Sequence, residues 1–172
     1  MDKVFIGKIV STHGIKGEVR ILSDFMYKKK VFFPGNKLVI DDKEYSISSY
    51  RVHKNYDMVT FDGFNNINEV LFMMKKNVYV YKDSIKLDDD EILDEELLTY
   101  KVLCNDKEGI IKEIFMASRD NKILRVLFDK EVLIPFKSPM IKKIDKNNKC
   151  VIVELIDGME WFYENRYFNI IS

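Results

Sequence analysis

Cysteine is scarce in this chain of 172 residues: Cys104 and Cys150 are the only two, and no Cys-x-x-Cys or Cys/His spacing surrounds them. That excludes a disulfide-stapled scaffold and a zinc site, and leaves both as reduced core or strand residues. Histidine is as rare, with His13 and His53 alone. Gly-x-Ser-x-Gly, His-Glu-x-x-His, the phosphate-binding Gly-x-x-x-x-Gly-Lys-Ser/Thr and the dinucleotide Gly-x-Gly-x-x-Gly are all missing, so the common catalytic and nucleotide-binding classes have no support. Net charge is absent too, with 28 basic against 28 acidic residues, which argues against a genome-coating protein. No uninterrupted apolar run approaches the ~20 residues of a membrane helix. The opening run Met1-Asp2-Lys3-Val4-Phe5-Ile6-Gly7 carries no export signal, so a cytoplasmic location is expected.

What is present is a globular composition, 47% hydrophobic and 13% aromatic. The length suits one compact domain or two small ones. Short runs rich in Val, Ile, Tyr and Phe, separated by Gly, Asn, Asp and Lys, predict a mainly β protein. Strands are expected at Val4–Val10, Glu18–Leu22, Lys37–Ile40, Glu44–His53, Met58–Phe61 and Val78–Tyr81. Polar turns at Asp41-Asp42-Lys43 and Lys54-Asn55-Tyr56-Asp57 make adjacent strands antiparallel. A second set is expected at Tyr100–Cys104, Gly109–Met116, Ile123–Phe128, Val132–Phe136 and Lys149–Leu155. Closing each set on itself removes exposed edges, which predicts two small β-barrels.

One segment leaves the period of two. Ile67, Val70, Leu71 and Met74 form an apolar stripe at helical spacing, preceded by Asn66 with Glu69 three residues on, a helix start signal. This short helix is expected to plug a barrel end. Charge is uneven along the chain: residues 1–82 carry 14 basic and 9 acidic groups, residues 83–100 carry 1 and 8, and residues 101–172 carry 13 and 11. The expected divisions are a barrel over 1–82, an acidic linker over 83–95, a second barrel over 96–159 and an aromatic tail over 160–172. The acidic stretch is either a solvated spacer or a docking surface for a basic partner, with Asp94, Glu95 and Glu96 as candidates. Trp161 marks the tail, which either packs on its own barrel or presents aromatics to a partner.

The densest signal is Gly7-Lys8-Ile9-Val10-Ser11-Thr12-His13-Gly14-Ile15-Lys16-Gly17-Glu18-Val19-Arg20. Two glycines three apart between strand-like runs call for a tight, rigid loop. Gly14-Ile15-Lys16-Gly17 fits the Gly-x-x-Gly loop that clamps a nucleic-acid backbone, but that module sets its loop between helices and these flanks are strands. His13, Lys16, Glu18 and Arg20 are either a polar contact surface or plain exposed residues. No nucleophile or oxyanion pocket accompanies His13 and Glu18, so no enzyme and no cofactor are expected. Lysines cluster at Lys28-Lys29-Lys30 and at Lys142, Lys143, Lys146 and Lys149. Lysine supplies 23 of the 28 basic residues. As a point charge it does not read base edges as an arginine fork does, so RNA contact is expected to be shape-directed and auxiliary.

Gly7, Lys8, Ile9, His13, Gly14, Ile15, Lys16, Gly17, Glu18, Val19 and Arg20 stand where the RimM family of ribosome maturation factors carries its N-terminal pattern, and the chain resembles that family. Val52-His53-Lys54 with Val59-Thr60-Phe61-Asp62-Gly63 look like its strand pair, and Leu133-Ile134-Pro135-Phe136 followed by Ile144-Asp145 like its C-terminal PRC-type barrel. The likeness spans roughly residues 4–159. Where the family carries a tyrosine pair before the PRC barrel, this chain has Ile92-Leu93. The resemblance implies an assembly factor that binds the immature 30S head and the small-subunit ribosomal protein numbered nineteen, assisting maturation of the 16S rRNA 3′ domain. Ribosome contact is expected at His13, Gly14, Lys16, Gly17, Glu18 and Arg20. A free-standing RNA-binding barrel is the alternative. With no coiled-coil seam, a monomer is expected.

Overall fold

In Glu18–Leu22 (β2), Val19 and Ile21 are buried while Glu18, Arg20 and Leu22 point the other way, the period of two of a strand with one wet face. Lys3–His13 (β1), Lys37–Ile40 (β3), Lys43–His53 (β4), Tyr56–Phe61 (β5) and Asn77–Tyr81 (β6) complete the set; β6 alternates likewise, whereas Leu38 to Ile40 in β3 and Asp57 to Val59 in β5 are buried in unbroken runs. In the computed structural model, which describes residues 2–156, these six close into a barrel in the order β1-β2-β5-β4-β3-β6 with every neighbouring pair antiparallel. Strand β1 runs three residues past its expected end because Thr12 and His13 pair with Val19 and Glu18. Gly7 sits where β1 passes closest to the end of β2: a Cβ there would lie 2.7 Å from the Leu22 carbonyl oxygen. No side chain fits at that position.

Ile6, Ile9, Ile21, Leu38, Ile40, Ile47 and Phe61 fill this barrel. Its end is closed by a helix, Ile67–Val70 (α1), that tightens into a 3₁₀ turn over Leu71–Met73. The expected Asn66 cap forms, and Glu69 completes it as a capping box: the Asn66 side chain accepts from the amides of Asn68 and Glu69, while Glu69 accepts from the Asn66 amide. The expected stripe is redirected. Three residues per turn bring Val70 and Met73 inward, both fully buried, and leave Leu71 and Phe72 about half exposed. A buried carboxylate, Asp57, accepts from Lys28 Nζ at 2.7 Å and from the Tyr50 hydroxyl at 2.7 Å. The first lysine of the Lys28–Lys30 cluster is thereby engaged inside the barrel.

The chain divides into two units, Met1–Leu87 and Asp88–Ser172, and the second has its own core. Lys101–Cys104 (β7), Lys107–Ser118 (β8), Asn121–Leu127 (β9), Glu131–Pro135 (β10), Ile141–Asp145 (β11) and Cys150–Val153 (β12) form a six-stranded sheet in the order β10-β9-β8-β7-β12-β11. Its ladder has two terminal strands, whereas the first closes. Pro135 at the end of β10 and Lys142-Lys143 on β11 blunt these edges. Strand β12 pairs with β7 in parallel, the single parallel pairing among the described residues. Ile92, Leu93 and the last residue of helix Asp94–Leu97 (α2) are buried in this unit, so the apolar residues inside the acidic stretch have a packing role. Cys104 and Cys150 are both free and buried.

Candidate functional site

The loop between β1 and β2 is held by its glycines and by α1. Gly14 and Gly17 have φ of 66° and 81°, the left-handed region that glycine enters without penalty. A Cβ on Gly17 would lie 3.0 Å from the Asn66 carbonyl oxygen, and the Ile67 amide donates to the Ile15 carbonyl at 2.9 Å. The loop is therefore clamped to the helix N-terminus on one side. On the other it presents Lys16 and an Ile15 side chain that is 79% exposed.

Beside the loop, strand register assembles an outward face. His13 pairs with Glu18 across β1 and β2, Arg20 with Met58 across β2 and β5, Met58 with Arg51 and Tyr56 with His53 across β5 and β4. Facing residues in a ladder share a side of the sheet, so both histidines and two arginines meet on one surface. Arg51 grips Glu18 with two bonds, Nε to Oε2 at 2.9 Å and Nη2 to Oε1 at 2.6 Å. That grip holds the Glu18 carboxyl below its ordinary range and raises Arg51. Arg20 Nη2 lies 2.7 Å from His13 Nδ1. A guanidinium has no acceptor, so in this contact Arg20 donates and Nδ1 accepts. The Arg20 guanidinium also lies over the Tyr56 ring at 5.8 Å, and the two imidazoles stand 5.9 Å apart at 34°. Beneath these groups Met58 is fully buried although it lies on the outward side.

This arrangement offers oriented donors and flat cationic groups and no nucleophile. It suits binding of phosphate or of planar polar surface. Among the described residues no cluster of three His, Cys, Asp or Glu is placed to hold a metal. The structure brings His13, Glu18 and Arg20 together and sets Gly14, Lys16 and Gly17 in the adjoining loop. Arg51, His53 and Tyr56 belong to the same face, and sequence reasoning missed them. Their signal was there: Arg51 and His53 are two apart on an expected strand, and the turn after His53 returns Tyr56 and Met58 alongside them.

The acidic candidates lie in the second unit. Asp94 forms an ion pair with Lys122, whose side chain is 2% exposed and whose ammonium lies 5.3 Å from the Phe136 ring centre. Glu96 accepts from the Tyr100 hydroxyl at 3.0 Å; burial, then this bond, pushes that phenol up to about 12. Asp94 and Glu96 thus have internal partners, and Glu95 lies beside them in the first turn of α2. Trp161 lies outside the described residues.

Over 166 residues, spanning 91% of this chain and 98% of the relative, the sequence is 34% identical to the ribosome maturation factor RimM of Staphylococcus saprophyticus. The chain belongs to the RimM family. The family's RimM N-terminal domain matches residues 4–85, and the RimM of Staphylococcus aureus is 32% identical over 164 residues, 91% of this chain and 98% of its own. A solved structure, a putative 16S ribosomal RNA processing protein RimM from Pseudomonas aeruginosa, is 21% identical with a TM-score of 0.42, covering 90% of this chain and 98% of that one. No helix among the described residues is long and apolar enough to cross a membrane.

Proposed function

We propose that this RimM-family chain is a non-enzymatic assembly factor that binds the immature 30S head in the cytoplasm, together with the small-subunit ribosomal protein numbered nineteen, and assists maturation of the 16S rRNA 3′ domain. The observation that carries this reading is the 32–34% identity, over 91% of the chain, to proteins named as ribosome maturation factors. The face built by Arg20, Arg51, His13 and His53, with the Gly14–Gly17 loop beside it, supports it with chemistry suited to RNA backbone. The second unit is the family's PRC-type domain in this reading, and the acidic stretch 83–100, net −7, attracts a basic ribosomal protein and speeds its encounter.

The mechanism is preferential binding. A factor that holds one head conformation more tightly than another stabilises it by the difference in affinity, about 1.4 kcal/mol for each tenfold. Release follows when the mature head no longer favours the bound form. The test is capture of immature small subunits by the purified chain and by its Arg20→Gln/Arg51→Gln double variant. Loss of two backbone contacts should weaken capture roughly tenfold or more at near-physiological salt. Unchanged capture by a folded double variant removes this face from the interface.

A further inference from the structure

On the barrel's outward surface, away from the β2–β5–β4 face, β1 and β6 place two aromatic rings side by side. Phe5 pairs with Tyr79 across the strands, and their rings meet edge-on at 5.7 Å and 70°. Phe5 is 54% exposed, an apolar ring left in water. Tyr79 also lines a groove of about 740 Å³, and four lysines, Lys3, Lys8, Lys75 and Lys76, surround it. The basic corner is fixed by backbone: the Lys75 amide donates to Ile9 O and the Ile9 amide donates to Lys76 O, each at 2.9 Å.

Charge in the groove is sorted rather than cancelled. Lys3 is paired with Asp42, and Lys76 with Asp41 at 2.9 Å, while the Lys3 ammonium lies 5.6 Å from the Tyr79 ring centre. Lys8 and Lys75 have no carboxylate partner among the described residues. An exposed ring beside uncompensated ammonium groups is the combination that holds single-stranded nucleic acid, a base stacking on the ring while cations follow the backbone. A duplex hides its base faces and presents two phosphate rows. The rings would be idle against it, and Asp2, Asp41 and Asp42 in the groove oppose so dense an anion. Base–ring stacking is open to every base and an ammonium follows the backbone as a point charge, so little sequence preference is expected.

We infer that this groove, with Phe5 at its border through the edge contact with Tyr79, binds a single-stranded RNA segment, stacking a base on the exposed Phe5 ring and placing phosphates on Lys8 and Lys75. The inference deepens the ribosomal reading and rests on it only for where the strand comes from. The test is fluorescence anisotropy with the full chain and a labelled, unstructured oligoadenylate of about 12 nucleotides, against an RNA duplex of equal length, between about 50 and 200 mM salt. The single strand should bind at least tenfold tighter than the duplex. Phe5→Leu, which keeps an apolar side chain at an exposed site but removes the ring, should weaken it about tenfold. Lys8→Gln should lower the salt slope by about 0.7. Equal duplex binding, no binding at low salt, or an unchanged Phe5→Leu affinity overturns the inference. A chain that captures immature subunits yet ignores the oligonucleotide loses this groove and keeps the proposed function.

Discussion

Gly17 shows how one residue connects loop, helix and surface. Its φ of 81° and the 3.0 Å approach of Asn66 to the position of a Cβ make alanine costly there on two counts. Gly14, at 66°, meets nothing within 4 Å. Gly14→Ala should therefore lose only the left-handed backbone penalty, ~1 kcal/mol, and Gly17→Ala ~2 kcal/mol or more, read by urea unfolding. Glu18 makes a pH prediction. Its folded-state pKa is depressed below the ordinary 4.5, mainly by the Arg51 hydrogen bond, so its stabilisation is present above that value and lost as pH falls through the folded pKa. As the pH falls from the ordinary 4.5 through the depressed folded-state value, the parent chain should lose more stability than Glu18→Gln, whose unfolding midpoint lacks this component. At this scale the sequence exposes half of the site. His13, Glu18 and Arg20 fall in one contiguous motif, whereas Arg51 reaches Glu18 from 33 positions away and is visible only once the strands are registered.

Elements obey local rules until a neighbour intervenes. The Asn66/Glu69 cap is legible because side-chain capping is a matter of a few adjacent residues, and it forms as expected. The helix it starts is shorter than its stripe suggests, since the barrel core draws in Met73 through a 3₁₀ turn and leaves Leu71 outside. The parallel pairing of β12 with β7 escapes a reading based on hairpins, because it joins segments far apart in the chain, while β11 forms an antiparallel hairpin with β12 that its Lys142-Lys143 pair hides from a reading of apolar runs. Asn66→Ala should cost ~1 kcal/mol by thermal unfolding. Because the Ile67 amide bonds to Ile15, the same change should also raise hydrogen exchange at Ile67; no change there would separate the cap from the loop.

For the whole molecule, the mainly β composition and the charge break near residue 83 point to two units before any coordinate is known. Each unit has its own hydrophobic core. The acidic stretch is less uniform than its charge suggests: Ile92 and Leu93 are core residues, and Asp94 and Glu96 bond to Lys122 and Tyr100. Charge counting sees density and misses these partners, which come from β9 and from the residue before β7.

Co-sedimentation of the full chain with immature and mature small subunits at matched concentration and salt asks whether one conformational state is preferred. The account predicts at least tenfold tighter association with the immature particle, about 1.4 kcal/mol of selectivity. Equal association with both particles, or with neither, contradicts it.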